Sequence, residues 1–198
     1  MSDEVKYRLL AAEDAERYHS LRLECLRNNP GNFGDSLEEE LEVKTSRFKA
    51  ELNQEKGVSF WYGAFSAGRL IGISGFIQQR RTKARHRGDL IQVYTSPGFA
   101  NRGIGSALVK LTVEKAFSKP EIEQILLSAV QSNEKAIALY KKLGFVEYGS
   151  IENYFKKDGV YSSQLFMALW KNEAARLHQI QKENAYKQFA LRLRLLFN

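Results

Sequence analysis

An apolar strand that ends on a proline and gives way, behind Gly-Ile-Gly, to a helix constrains this chain more than any other feature. The segment reads Asp89-Leu-Ile-Gln-Val-Tyr-Thr-Ser-Pro-Gly-Phe-Ala-Asn-Arg-Gly-Ile-Gly-Ser-Ala-Leu. The first amides of a helix lack intrahelical partners and stand at the positive end of the helix dipole. Glycines such as Gly103 and Gly105 let the main chain approach an anion closely. Together these features make a cradle for a pyrophosphate. Gly-x-Gly alone also occurs where a helix merely packs tightly. A P-loop is excluded, because Ser106-Ala107 stand where Lys and Ser/Thr are required. A dinucleotide fold would need glycine at Leu108 and a first strand here, yet three expected strands come earlier.

The rest of the chain alternates between strand and helix patterns. Strands are expected at residues 5–10, 58–65, 70–77, 89–95, 122–130, 145–148 and 161–170. Helices are expected at 13–28, 36–52, 102–118 and 133–143, the second opened by a Ser36/Glu39 capping box. Ser66-Ala67-Gly68-Arg69 reads as a hairpin turn. Hairpins mixed with crossover helices predict an α/β (α+β) domain around a mixed sheet. In the run Ser128-Ala-Val-Gln-Ser-Asn133-Glu-Lys-Ala136-Ile-Ala-Leu139-Tyr140-Lys-Lys-Leu143-Gly144-Phe145, Asn133 opens a helix and Gly144 closes it. Ala136, Tyr140 and Leu143 share one face of that helix.

These two segments resemble the acetyl-CoA-binding and following segments of the GNAT acetyltransferases. "VYTSPGFANRGIGSAL" is similar to the family's strand, proline and Arg/Gln-x-x-Gly-x-Gly/Ala, and "NEKAIALYKKLGF" to its Asn-x-x-Ala-x-x-Leu-Tyr-x-x-x-Gly-Phe. The resemblance spans residues 5–170 in element order and implies the family fold, with about seven strands flanked by about four helices. It departs at Ala100, where the family carries Arg or Gln; Arg102 lies two residues on. It implies an N-acetyltransferase that moves the acetyl group of acetyl-CoA to an amine by direct attack in a ternary complex. A CoA-binding module without turnover is the alternative. The implied cofactor contacts are Val93, Tyr94, Thr95, Ala100, Asn101, Arg102, Gly103, Ile104, Gly105, Ser106 and Asn133.

Tyr140 matches the family's general acid, although a tyrosine on an inner helix face also serves as core. Asp89 stands where many relatives carry a glutamate base; alternatively it pairs with the basic turn Arg80-Arg81-Thr82-Lys83-Ala84-Arg85-His86-Arg87. Asn133 would bond the pantetheine arm, cap its helix, or do both. The acceptor amine is expected against the loop 32–39 and the hairpin 153–163. Glu38, Glu39 and Glu40 either attract a cationic amine or form a solvated face.

Composition narrows the remaining classes. Cys25 is the only cysteine, so no internal disulfide forms, and it reads as a core thiol. His19, His86 and His178 show no ligand spacing, and no metal is expected. The net charge of +7 concentrates in the basic turn and the tail. The turn holds no aromatic residue, so it reads as solvated and no nucleic acid is expected. Residues 171–198 form an apolar-and-basic pattern, expected to be an appended helix that docks on its own domain or in a homodimer, or else on an anionic membrane. Residues 1–6 lack a signal-peptide run, and no stretch has transmembrane length, so a cytoplasmic protein is expected.

Overall fold

The computed structural model describes residues 4–53 and 59–173. Seven strands form one sheet in the order β1-β2-β3-β4-β5-β7-β6. They are β1 (Lys6–Leu9), β2 (Ser59–Ser66), β3 (Arg69–Gln78), β4 (Arg87–Thr95), β5 (Gln124–Val130), β6 (Val146–Lys157) and β7 (Val160–Trp170). Every neighbouring pair is antiparallel except β4 and β5. That one parallel pair is short: it joins Arg87, Gly88 and Asp89 to Gln124, Ile125 and Leu126, and beyond it the strands part.

Five α-helices are described: α1 (Ala15–Asn28), α2 (Leu37–Leu41), α3 (Thr45–Leu52), α4 (Ile104–Phe117) and α5 (Glu134–Lys142). The single helix expected at 36–52 is thus two. Ser36 and Glu39 make the anticipated capping box, but Lys44 is extended, and the chain restarts at Thr45. The break lets Phe48 and Leu52 reach the cluster around Tyr18 and Trp61, with Val43 packed against it. β6 is also far longer than the strand expected at 145–148. Nearly all of β6 is exposed, so the buried-exposed alternation that marks a strand is missing there. Residues 174–198, and with them most of the tail helix expected at 171–198, lie outside the described residues.

Two cores follow from period-two alternation along the strands. On one face Phe60, Phe76, Leu90, Ile125, Leu127 and Met167 pack with Val109 of α4 and Tyr140 of α5. On the other, Trp61, Ile73 and Tyr94 pack with Tyr18, Leu21 and Cys25 of α1 and Phe48 of α3. The N-terminal helices α1 and α3 pack on β2 and β3. Leu126, Ser128, Gln164 and Phe166, the outward alternates of β5 and β7, instead line a cavity.

A bulge shapes β4 beside that cavity. Ile73 pairs with Tyr94 but Gly75 pairs with Ile91, so β4 carries one residue more than β3 there. The extra turn falls at Gln92, whose φ is 54°. Its Oε1 accepts hydrogen bonds from the Tyr18 hydroxyl and, at 2.7 Å, from Trp61 Nε1. The indole fits only because position 75 is glycine: a Cβ there would stand 2.3 Å from Trp61 Nε1. Gly75→Ala is therefore expected to push the indole off Gln92 and to cost about 1–3 kcal/mol as overpacking. Denaturant unfolding measures the loss, and altered Trp61 emission in the folded variant reports the displaced ring.

Candidate active site

The cradle at the head of α4 has the backbone that its sequence demands. Asn101 and Gly103 are both left-handed, with φ of 61° and 76°, on either side of Arg102. Such alternation turns successive amides toward one concavity, a nest suited to an anion. Gly103 is the N-cap of α4 and accepts from the Ala107 amide at 3.0 Å. Among the described residues, no amide of Ile104, Gly105 or Ser106 has a carbonyl one helical turn back, so these N–H groups are left for a ligand. A Cβ built on Gly103 would meet nothing within 4 Å. The space beside Gly103 is thus open, and the backbone present fits a pyrophosphate.

The side chains of the expected cofactor contacts divide. Ile104 is buried in the core and can contribute only its main chain. Tyr94 faces away, its hydroxyl donating to Glu24 and accepting from Asn28, and burial pushes its pKa up to about 12. Ala100 is exposed and extended, and offers no polar side chain. Arg102 supplies the local charge, its guanidinium carbon 5.3 Å above the Phe99 ring. Thr95 borders Gly105, and Ser106 sits in the first turn of α4. Val93 and Asn133 line the cavity. Asn133 caps α5, its Oδ1 accepting from the Ala136 amide at 3.3 Å.

That cavity, of about 600 Å³, runs through the gap where β4 and β5 part. Leu90, Val93, Leu127, Ala129 and Tyr140 line it from the α5 side of the sheet, while Ile77, Gln92, Leu126 and Phe166 line it from the opposite side. Asp89 occupies the apex, in the last paired register before the strands separate. Its carboxylate accepts a hydrogen bond from Gln79 Nε2 and forms no ion pair with the basic turn among the described residues. Burial raises its pKa, opposed by the Gln79 bond and by the Arg87 charge. Tyr140 is buried against Phe145, with ring centroids 5.9 Å apart. Burial alone pushes its hydroxyl well above the ordinary phenol value, so it keeps its proton.

Two of the three glutamates weighed as an acceptor attractant have internal duties. Glu39 closes the capping box, and Glu40 is buried beside Arg22. Arg22, itself 1% exposed, also donates to Asp35 at 2.8 Å and so ties α1 to the loop that carries Phe33 and Gly34. Gln92 was not among the residues singled out from sequence. Its signal was a polar residue inside Leu90-Ile91-Gln92-Val93-Tyr94, where alternation loses a step.

The Acetyltransferase (GNAT) family profile matches residues 15–145. The chain belongs to this family. Among curated relatives it is 32% identical over 120 residues to N-alpha-acetyltransferase 30 of Dictyostelium discoideum, covering 60% of this chain and 61% of that one. It is 25% identical over 117 residues to spermidine N(1)-acetyltransferase of Escherichia coli K12, covering 59% and 63%. The matches thus span about three-fifths of these relatives' lengths. The fold is shared with yncA of Salmonella typhimurium, solved with its cofactor acetyl-CoA, at a TM-score of 0.74 and 16% identity over 84% of this chain and 94% of that one. Among the described residues, no cluster of His, Cys, Asp and Glu could hold a metal ion, and no helix is long and apolar enough to cross a membrane.

A methyl group at Gly103 would strain a left-handed residue and so disturb the turn that sets the first α4 amides. Gly103→Ala in this GNAT chain is expected to weaken acetyl-CoA binding about tenfold or more, a loss of about 1.4 kcal/mol. Titration calorimetry against the parent chain checks it.

Proposed function

We propose that this chain is an acetyl-CoA-dependent N-acetyltransferase that acylates a primary amine by direct attack. The observation that carries this reading is the passage of one cavity through the split sheet, with Asp89 at its apex and Tyr140 on its far wall. Family membership and the acetyl-CoA-bound fold neighbour support it.

Acetyl-CoA supplies an activated acetyl thioester. The amides of Ile104, Gly105 and Ser106, with Arg102, would hold its pyrophosphate, and Asn133 its arm. An ammonium has no lone pair, so the acceptor must lose a proton before it attacks. Asp89 takes that proton, directly or through a water, and its raised pKa makes it a stronger base than an exposed aspartate. The nitrogen then bonds to the carbonyl carbon while the C–S bond breaks. Main-chain N–H groups of residues 93–95, on the stretch of β4 that β5 leaves unpaired, meet the negative charge on oxygen. Tyr140 gives its proton to the departing sulfur and recovers one from solvent. A cytoplasmic location belongs to the same reading, because acetyl-CoA must reach the cleft.

Calorimetric titration with acetyl-CoA, followed by thiol release in the presence of an amine panel, tests the proposal. Tyr140→Phe should bind acetyl-CoA normally and lose about 10²-fold or more in kcat. For the parent, kcat/KM should fall as pH drops through the raised pKa of Asp89, since protonation removes the base. Asp89→Asn should be slow throughout and lack that acidic limb. Binding without turnover by any amine would instead leave a CoA-binding module, and absence of binding would refute the assignment of the cradle.

A further inference from the structure

The acceptor side of the cavity is walled by aromatic rings. Phe33, Tyr148, Tyr154, Phe155 and Phe166 all line it. Tyr154 stands edge-on to Phe155 at 4.8 Å and to Phe166 at 5.8 Å, and Tyr148 lies 6.2 Å from Phe166. Gly34 seats Phe155 so closely that a Cβ there would stand 3.1 Å from its ring, which binds the α1–α2 loop to the β6–β7 hairpin. Tyr148 and Tyr154 are nonetheless 56% and 46% exposed. This is apolar surface that an incoming ligand can dry.

Charge in the same cavity is sparse. Its only ionisable acids and bases other than tyrosine are Arg22, Asp35 and Asp89 among the described residues. Arg22 bonds Asp35 at 2.8 Å and Glu40 at 3.4 Å, so it is not free to hold an α-carboxylate. Asp35 shares that one guanidinium with Glu40, so the trio keeps one net negative charge, with Asp35 its exposed member. Asp89 is needed for the proton of the reacting nitrogen, so of the cavity's carboxylates only the half-compensated Asp35, out on the loop, is left to a second ammonium. Gln92 turns the inner cavity against a second cation: both donors on its Oε1 come from the protein, so only its amide N–H groups are left to a ligand. Those groups suit a neutral oxygen and oppose a second cation.

We propose that the acceptor is a primary amine carried on an aromatic or other large apolar body, and that polyamines and free small amino acids, which lack such a body, are poorer acceptors. The inference rests on the acetyltransferase reading above. Such an amine has two possible sources, a free arylalkylamine or the N-terminal residue of a peptide, and both present the same chemistry to this wall.

The test uses the full chain with acetyl-CoA and four acceptors: 2-phenylethylamine, a peptide amide beginning with phenylalanine, spermidine and glycine. At least one aromatic acceptor should exceed spermidine and glycine in kcat/KM by about tenfold or more. Which of the two aromatic acceptors is preferred identifies the source. Phe166→Ala should raise KM for that acceptor while acetyl-CoA affinity stays unchanged. Tyr154→Ala, at a half-exposed position with little folding burden, should do the same. Equal or better use of spermidine or glycine overturns the inference, as does a chain that binds acetyl-CoA but acetylates neither aromatic acceptor. Failure to bind acetyl-CoA at all sinks the acetyltransferase reading itself.

Discussion

β4 and β5 pair in parallel through Arg87–Asp89 and Gln124–Leu126 and then diverge, so the main chain of β4 beyond Asp89 loses a neighbour on one edge. A buried N–H or C=O without a partner is costly, and a sheet interrupted at its centre must compensate or bind something. Here the gap is kept open from both sides. α4 packs on β2, β3 and β4, and Gly105 in its first turn lies beside Thr95 at the end of β4. β7 continues the sheet across β5 and holds that strand over seven registers, from Gln124–Trp170 to Val130–Gln164. The split is thus a feature of the rigid frame.

The bulge in β4 is the second half of the same device. An extra residue increases local twist and re-aims side chains. Gln92 adopts a left-handed conformation to provide it, and two donors from separate elements, Tyr18 on α1 and Trp61 on β2, fix its side chain. The cost of placing a non-glycine residue at positive φ is offset by those bonds and by the close seat that Gly75 gives the indole. Because the bulge shifts alternation by one step, Leu90 and Val93 face one core while Ile91 and Tyr94 face the other. Residues from both faces can therefore line one passage.

What the sequence made legible is what local chemistry encodes. The proline after β4, the Asn133 cap of α5 and the Ser36/Glu39 box each act on backbone a few residues away, and each is where the spacing placed it. α4 starts at Ile104, two residues later than expected, because left-handed Gly103 is its N-cap. The break between α2 and α3 was hidden because it serves distant partners: Phe48 and Leu52 must reach Tyr18 and Trp61. β6 was hidden because its residues are exposed on both faces, which erases periodicity. The cavity was the least legible, since Phe33, Gln92, Tyr154 and Phe166 meet only after the sheet and the α1–α2 loop have closed around it. Asp89 could be singled out from its segment, but only the register shows that it marks the point of divergence.

On the proposed mechanism, thioester and amine meet in a cavity lined from both faces of the sheet, without a covalent acetyl-enzyme. Two-substrate initial-rate kinetics tests this most directly, with acetyl-CoA varied at several fixed concentrations of a productive amine. The proposed direct attack predicts double-reciprocal lines that intersect, as sequential binding in one ternary complex requires. Parallel lines, together with CoA release from acetyl-CoA in the absence of amine and a stably acetylated chain, would contradict it.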